Sequence, residues 1–234
     1  MIVGDPHDWK DRFITVDERL LQRILHVWPT CVALLPDQPE EDTITINLVH
    51  LLSIDAAVRR ICHFVIYQHE PFGTHPGGAK FSKGKIDIAV LLDQERERYL
   101  AYECKRLNVI HGTRASLATR YVNDGMMRFL TEQYAEGLPV GCMLGYVMDG
   151  DLAFALTQIN GAIAAQKARL GLLAGPASRQ SITGIERFST SHQRPNKSNI
   201  ELRHVLLPFS NASQTSVSAG PAASANNAAP AADA

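Results

Sequence analysis

The chain has 234 residues, 45% of them hydrophobic, and a formal charge of −1, which suits one globular domain with a real core and room for an appendage. Its four cysteines, Cys31, Cys62, Cys104 and Cys142, form no CxxC pair, which excludes a cysteine zinc site and a disulfide framework and suits a reducing cytoplasm. No stretch approaches the roughly 18 apolar residues of a membrane span, and Met1 to Lys10 carries Asp5, His7 and Asp8 in place of an apolar signal region, so a soluble cytoplasmic protein is expected.

In chain order, Asp17 to Trp28 places Leu20, Leu21, Ile24, Leu25 and Trp28 at helical spacing, and Pro29 is expected to stop that helix. Pro36 and Pro39 bracket a loop. Glu40-Glu41-Asp42 then opens a second helix through Ile44, Leu48, Leu51 and Leu52 to about Asp55, its acids suiting the positive end of the helix dipole. Cys62 to Tyr67 reads as a short strand, Pro71 to Gly78 as a loop, and Ile86 to Leu92 and Tyr99 to Leu107 as two strands joined by a charged hairpin turn. Arg114 to Glu136 is predicted as a helix ended by Gly137 and Pro139, and Gly141 to Met148 as the next strand. A helix over Asp151 to Leu172 and strands over Ile182 to Phe188 and Asn199 to Phe209 close the domain at residue 209. Ser210 to Ala234, almost entirely Ala, Ser, Asn, Pro, Gly and Thr, is expected to be a disordered tail. The fold class is therefore α/β, a mixed central sheet flanked by helices.

Within those two central strands sit charged residues where strands rarely hold them. Alternate residues of a strand share a face, so Glu103 and Lys105 lie side by side while Cys104 points into packing, and Asp87 stands on the neighbouring strand. A divalent metal held by Asp87 and Glu103 gives those carboxylates a reason to be there. The alternative is a surface ion pair on an exposed strand pair.

Overall neutrality hides an uneven spread of charge. Residues 1–55 carry ten acids against four bases, residues 77–128 ten bases against six acids, and residues 167–204 seven bases against two acids. That asymmetry suits a polyanion-binding face, and equally a set of solvated side chains.

The order αβββαβ over about residues 41–148, with Asp87 on one strand and, after fifteen intervening residues, Glu103-Cys104-Lys105 on the next, resembles the PD-(D/E)xK nuclease superfamily, the restriction-endonuclease-like fold. The proline before the aspartate is absent here, its place taken by Ile86. The resemblance implies a metal-dependent nuclease in which Asp87 and Glu103 bind Mg²⁺ or Mn²⁺ and Lys105 positions or activates the attacking water. Hard oxygen ligands and a lysine beside them suit that chemistry. It further implies a third acid from the preceding helix, for which Glu41 is the candidate ahead of Glu40 and Asn47. A helix N-terminal acid serving the dipole is the other reading of Glu41. From the helix after the Glu-x-Lys strand, Arg128, with Arg120 two turns before it, is the expected helper at the scissile phosphate.

Other constellations carry less. His69-Glu70-Pro71 with His75 is no helical zinc-protease motif, because Pro71 interrupts and the spacing is wrong. Gly78, Lys80 and Ser82 do not make a phosphate-binding loop, since a strand follows where a helix is needed. Lys80, Lys83 and Lys85 are instead either solvated loop lysines or, in a mobile loop beside the site, groups that reach substrate phosphates. His192 and Arg194, in the polar stretch Phe188 to Arg194, are candidates to bind phosphate or base edges from a loop, and His204 is expected to be buried and hydrogen-bonded. The sequence thus predicts a phosphodiesterase on nucleic acid, DNA foremost, in a setting of bacterial defence, restriction or a mobile element, with a homodimer as one assembly. The alternative is an inactive nuclease-like module that binds nucleic acid or protein.

Overall fold

A computed structural model describes residues 9–209 apart from 97 and 181, so the expected tail lies outside the described residues. Helix α1 (Lys10–Ala33) buries Phe13, Leu20, Leu21, Ile24 and Trp28 as its spacing requires, but it runs through Pro29 rather than stopping there. Proline removes one backbone donor, and burial of Cys31 and Val32 beyond it holds the last turn in place. Helix α2 (Glu41–Ile54) begins where its acids place it.

Strand β1 (Phe64–His69) is followed by a small hairpin, β2 (Phe72–Thr74) and β3 (Lys80–Ser82), in place of the expected loop. Next come β4 (Ile86–Leu91) and β5 (Tyr99–Leu107), antiparallel as read, and a second small hairpin, β6 (Val109–His111) with β7 (Thr113–Ala115). The helix expected over Arg114 to Glu136 is shorter. It consists of α3 (Ala118–Arg120), a π-helical segment Tyr121–Met126 and α4 (Met127–Leu130). After it the chain turns at Glu132 and Ala135, both at positive φ, where a helix cannot continue. Strand β8 (Val140–Val147) and helix α5 (Leu152–Ala165) follow, then β9 (Leu172–Ser178), β10 (Glu186–Gln193) and β11 (Asn199–Pro208). Helix α5 ends at Ala165, short of the expected Leu172, strand β9 takes a segment beyond it for which the sequence predicts no element, and β10 takes much of the stretch read as a polar loop.

Seven strands form one mixed sheet in the order β1-β4-β5-β8-β11-β10-β9. Only β5–β8 and β8–β11 pair in parallel. Each parallel step needs a crossover, and the 118–130 helix supplies the first and α5 the start of the second. Omitting the β2–β3 hairpin and the small β6–β7 one, α2, β1, β4, β5, the 118–130 helix and β8 follow the αβββαβ order. Two neighbouring residues of β11 place the helices: Arg203 reaches Asp17 of α1, whereas His204 reaches Tyr121 of the π segment. Adjacent strand residues face opposite ways, so α1 and the 118–130 helix cover opposite faces of the sheet. One continuous hydrophobic core joins both layers. No helix among the described residues is long and apolar enough to cross a membrane.

Candidate active site

The β4–β5 ladder runs from Leu91–Tyr99 to Ile88–Tyr102 and then ends. Beyond that point β5 continues beside β8 while β4 departs, leaving amides on the open side of β5 without a strand partner. Carboxylates take them. Asp87 Oδ2 accepts the Cys104 amide at 2.7 Å, and Glu41 Oε2, from the first turn of α2, accepts the Arg106 amide at 2.8 Å. A buried amide left open would cost much of a hydrogen bond, so the parting of two strands itself draws acids to this spot.

Lys105 completes the cluster. Its Nζ lies 2.7 Å from Glu103 Oε1, 2.9 Å from Glu41 Oε1 and 4.0 Å from Asp87 Oδ2, and donates to the Cys104 carbonyl at 2.7 Å. The expected pairing of Glu103 and Lys105 on one face is present, and it is no surface ion pair: Glu103 is 0% exposed. Burial first, and the charge of Asp87 second, raise the Glu103 pKa from 4.5 to about 8, against the pull of Lys105 and Arg128. Asp87 is also raised, by burial, although Lys105 and the Cys104 amide oppose it. Burial alone would lower the Lys105 pKa, but Glu103, Glu41 and Asp87 outweigh it and leave the ammonium above its ordinary value.

Arg128 arrives from α4, with Nη1 3.3 Å from both Glu103 oxygens. The same guanidinium bonds the Tyr134 hydroxyl, which in turn donates to the Lys85 carbonyl just before β4. Tyr134 therefore braces Arg128. On the same flank a depression of about 360 Å³ is lined by Glu41, Lys105, Arg106, Leu117, Arg120, Asp124 and Arg128. Four cations face two carboxylates there, which favours an anion.

The less favoured acids do other work. Glu40 pairs with the Arg106 guanidinium, and Asn47 bonds the Thr43 carbonyl of its own helix. Lys83 is tied to Glu136 and to the Glu132 carbonyl, whereas Lys80 and Lys85 are exposed at the mouth of a separate cavity.

His192 and Arg194 are a correction. Both are buried in the interior and cannot meet a substrate. Arg194 donates to the carbonyls of Phe129, Leu138 and Ala135, and His192 Nδ1 bonds the Leu170 carbonyl. The stretch is polar in composition, yet Phe188, Thr190, His192 and Arg194 are buried in strict alternation, the signature of a strand. Parity along β10 could have turned His192 inward, whereas no sequence pattern announces the backbone partners of Arg194.

Among the described residues no three acids, histidines or cysteines are gathered as a ligand set, because Lys105 stands between the carboxylates. The residues nevertheless fit a divalent cation. Glu103 Oε1 is buried and makes no hydrogen bond of good geometry despite its ion contact with Lys105, and the donors of Asp87, Glu103 and Glu41 are hard oxygens. Compared with protein-family models, with curated proteins and with solved structures, the chain gives no match.

Proposed function

We propose that this protein is a nuclease that hydrolyses phosphodiester bonds, foremost in DNA, with Mg²⁺ or Mn²⁺. The observation that carries this is the convergence of Asp87, Glu103 and Glu41 on Lys105 where β4 and β5 part, with Glu103 buried and its pKa lifted to about 8. Perturbed acids of this kind, grouped beside a cationic depression, mark functional sites more often than structural ones. Asp87 and Glu103, with Glu41, would hold the cation. When bound, it neutralises charge on the phosphate and acidifies water. The chain supplies the rest: Lys105 orients the attacking water and stabilises the oxyanion, Arg128 holds Glu103 and faces the scissile phosphate, and Tyr134 keeps Arg128 in place. The resemblance to restriction-endonuclease-like enzymes supports the reading, as it does a role in bacterial defence or on a mobile element. Four free, buried cysteines are in keeping with a cytoplasmic setting.

The test is cleavage of plasmid and linear DNA by the purified full chain with Mg²⁺ or Mn²⁺. Asp87→Ala, Asp87→Asn and Lys105→Ala should each lower the rate by roughly 100-fold or more while circular dichroism stays native. Cleavage unchanged by all three would sink the proposal. A second reading, a nuclease-like module that binds without cutting, draws on the position of Lys105, whose ammonium already neutralises the cluster. It predicts that calorimetry finds no divalent-ion binding dependent on Asp87 and Glu103.

A further inference from the structure

We infer that the β2–β3 hairpin holds a nucleotide site for an unpaired base, which makes single-stranded or frayed nucleic acid the preferred substrate. This rests on the nucleic-acid reading above. Residues 71–85 contain three lysines, a histidine and two phenylalanines, and no carboxylate. The hairpin pairs only with itself, Phe72 opposite Ser82 and Thr74 opposite Lys80, and takes no part in the main sheet.

Its two phenylalanines have different tasks. Phe81 lies across its cross-strand partner Gly73, where a Cβ would stand 2.3 Å from the ring, and packs against His75 at 4.6 Å. That ring holds the hairpin together. Phe72 packs in no such way: it is 68% exposed and lines a cavity of about 960 Å³ in which Lys80, Lys83, Lys85 and Arg96 stand against Glu70, Glu95 and Glu136. Lys83 is paired with Glu136 and Lys85 lies 3.9 Å from Glu70, which leaves Lys80, beside Phe72, without a carboxylate partner among the described residues. Alternation puts Phe72, Thr74 and Lys80 on one face of the hairpin, and Lys80 Nζ bonds Thr74 Oγ1 at 2.6 Å, so a cation stands beside the open ring. Across the cavity, His69 and Tyr99 meet edge to face at 5.9 Å.

An open aromatic face, neighbouring cations and a cavity with room for a nucleotide are the parts of a single-strand site: the ring stacks on any base, and the lysines follow the phosphates. A base inside a duplex cannot stack on Phe72, because its faces are already covered by its neighbours. The cavity shares no lining residue with the catalytic cluster, but Lys85 links the two. Lys85 precedes Asp87 by two residues, about 7 Å of extended chain, and its carbonyl receives the Tyr134 hydroxyl that braces Arg128. A base held by Phe72 therefore belongs to a nucleotide close to the scissile phosphate.

The test is fluorescence anisotropy in EDTA with the full chain, using fluorescein-labelled oligothymidylate of about 12 nucleotides and a blunt duplex of equal length. Wild type should bind the single strand more tightly, and Phe72→Ala should weaken that binding roughly tenfold. Duplex binding should change less than twofold, and Phe72→Trp should restore the single-strand preference. Equal affinity of wild type for both probes, no effect of Phe72→Ala, or an equal loss on both probes would each overturn the inference. Cleavage assays separate the two claims. Metal-dependent cleavage with a silent Phe72→Ala removes only the nucleotide site, whereas Phe72-dependent single-strand binding without any cleavage removes only the nuclease.

Discussion

The guanidinium of Arg194 is buried and bonds the carbonyls of Phe129 at 3.0 Å, Leu138 at 3.0 Å and Ala135 at 2.7 Å. It gathers the end of α4 and the following turn, so the residue just past β10 fixes where the helix stops. Arg194→Leu should cost about 3–5 kcal/mol, because it leaves buried acceptors open, and Arg194→Lys should recover little, since one ammonium cannot span three carbonyls. The urea midpoint at neutral pH measures both. Such a residue was not legible in the sequence: its partners are backbone atoms 56 to 65 positions away, and no side-chain pattern announces them. Glu103 and Lys105 were legible for the opposite reason. Their pairing follows from a two-residue period inside one strand, and Asp87 from the hairpin register that joins β4 to β5.

At the scale of elements, a chain of hydrogen bonds ties the π segment to the last strands, and its protons can be placed. His192 Nδ1 must donate to the Leu170 carbonyl, which leaves Nε2 to accept from the Thr190 hydroxyl at 2.7 Å. Thr190 then accepts from His204 Nε2 at 2.9 Å, and His204 Nδ1 accepts from Tyr121 at 2.9 Å. Both rings are neutral, and a second proton on either would set donor against donor. Burial lowers both histidine pKa values, and for His204 the nearness of His192 adds to it. The unfolded chain binds those protons below about pH 6.5 while the folded chain refuses them, so stability falls as pH drops through that point, by up to about 1.4 kcal/mol per unit for each ring. Glu103 acts with the opposite sign: lifted from 4.5 to about 8, it binds its proton in the fold and favours the folded state as pH falls through that window. The comparison that isolates the histidines is urea unfolding of wild type against a His192→Gln, His204→Gln double variant between pH 7.5 and 5.5. Wild type should lose about 1–3 kcal/mol more than the variant across that range. Elements were read well where hydrophobic period decided them, as in α2, β4, β5 and β8. They were misread where long-range packing decided, as at Pro29 in α1 and at the shortened 118–130 helix.

Across the whole molecule, the charge asymmetry along the sequence is resolved in space. Two acids of the first helix lie against arginines of the last strands, with Asp17 Oδ2 2.5 Å from Arg203 Nε and Glu18 2.5 Å from both Arg187 and Arg203. Arg179 joins both acids from the loop after β9. Much of the basic excess over residues 167–204 is thereby an internal fastening between chain ends rather than a polyanion-binding face. Asp17 is its centre, since the same carboxylate also accepts the Tyr102 hydroxyl at 2.8 Å. Removing it leaves the Arg203 Nε and that tyrosine hydroxyl, both buried, without an acceptor, while Glu18 and Glu201 still hold the other guanidinium nitrogens, so the cost is that of two open donors in a buried ion-pair network. Asp17→Ala should therefore lower stability by about 3–5 kcal/mol, and Asp17→Asn nearly as much, since the amide keeps the shape but not the charge. Because the pair is buried, salt should not screen it: the loss measured by urea unfolding in 0.05 M and in 0.5 M NaCl should agree within about 0.5 kcal/mol. A loss that shrinks steeply with salt would place Asp17 in a hydrated surface pair and detach α1 from the fastening that orders the two ends of the chain.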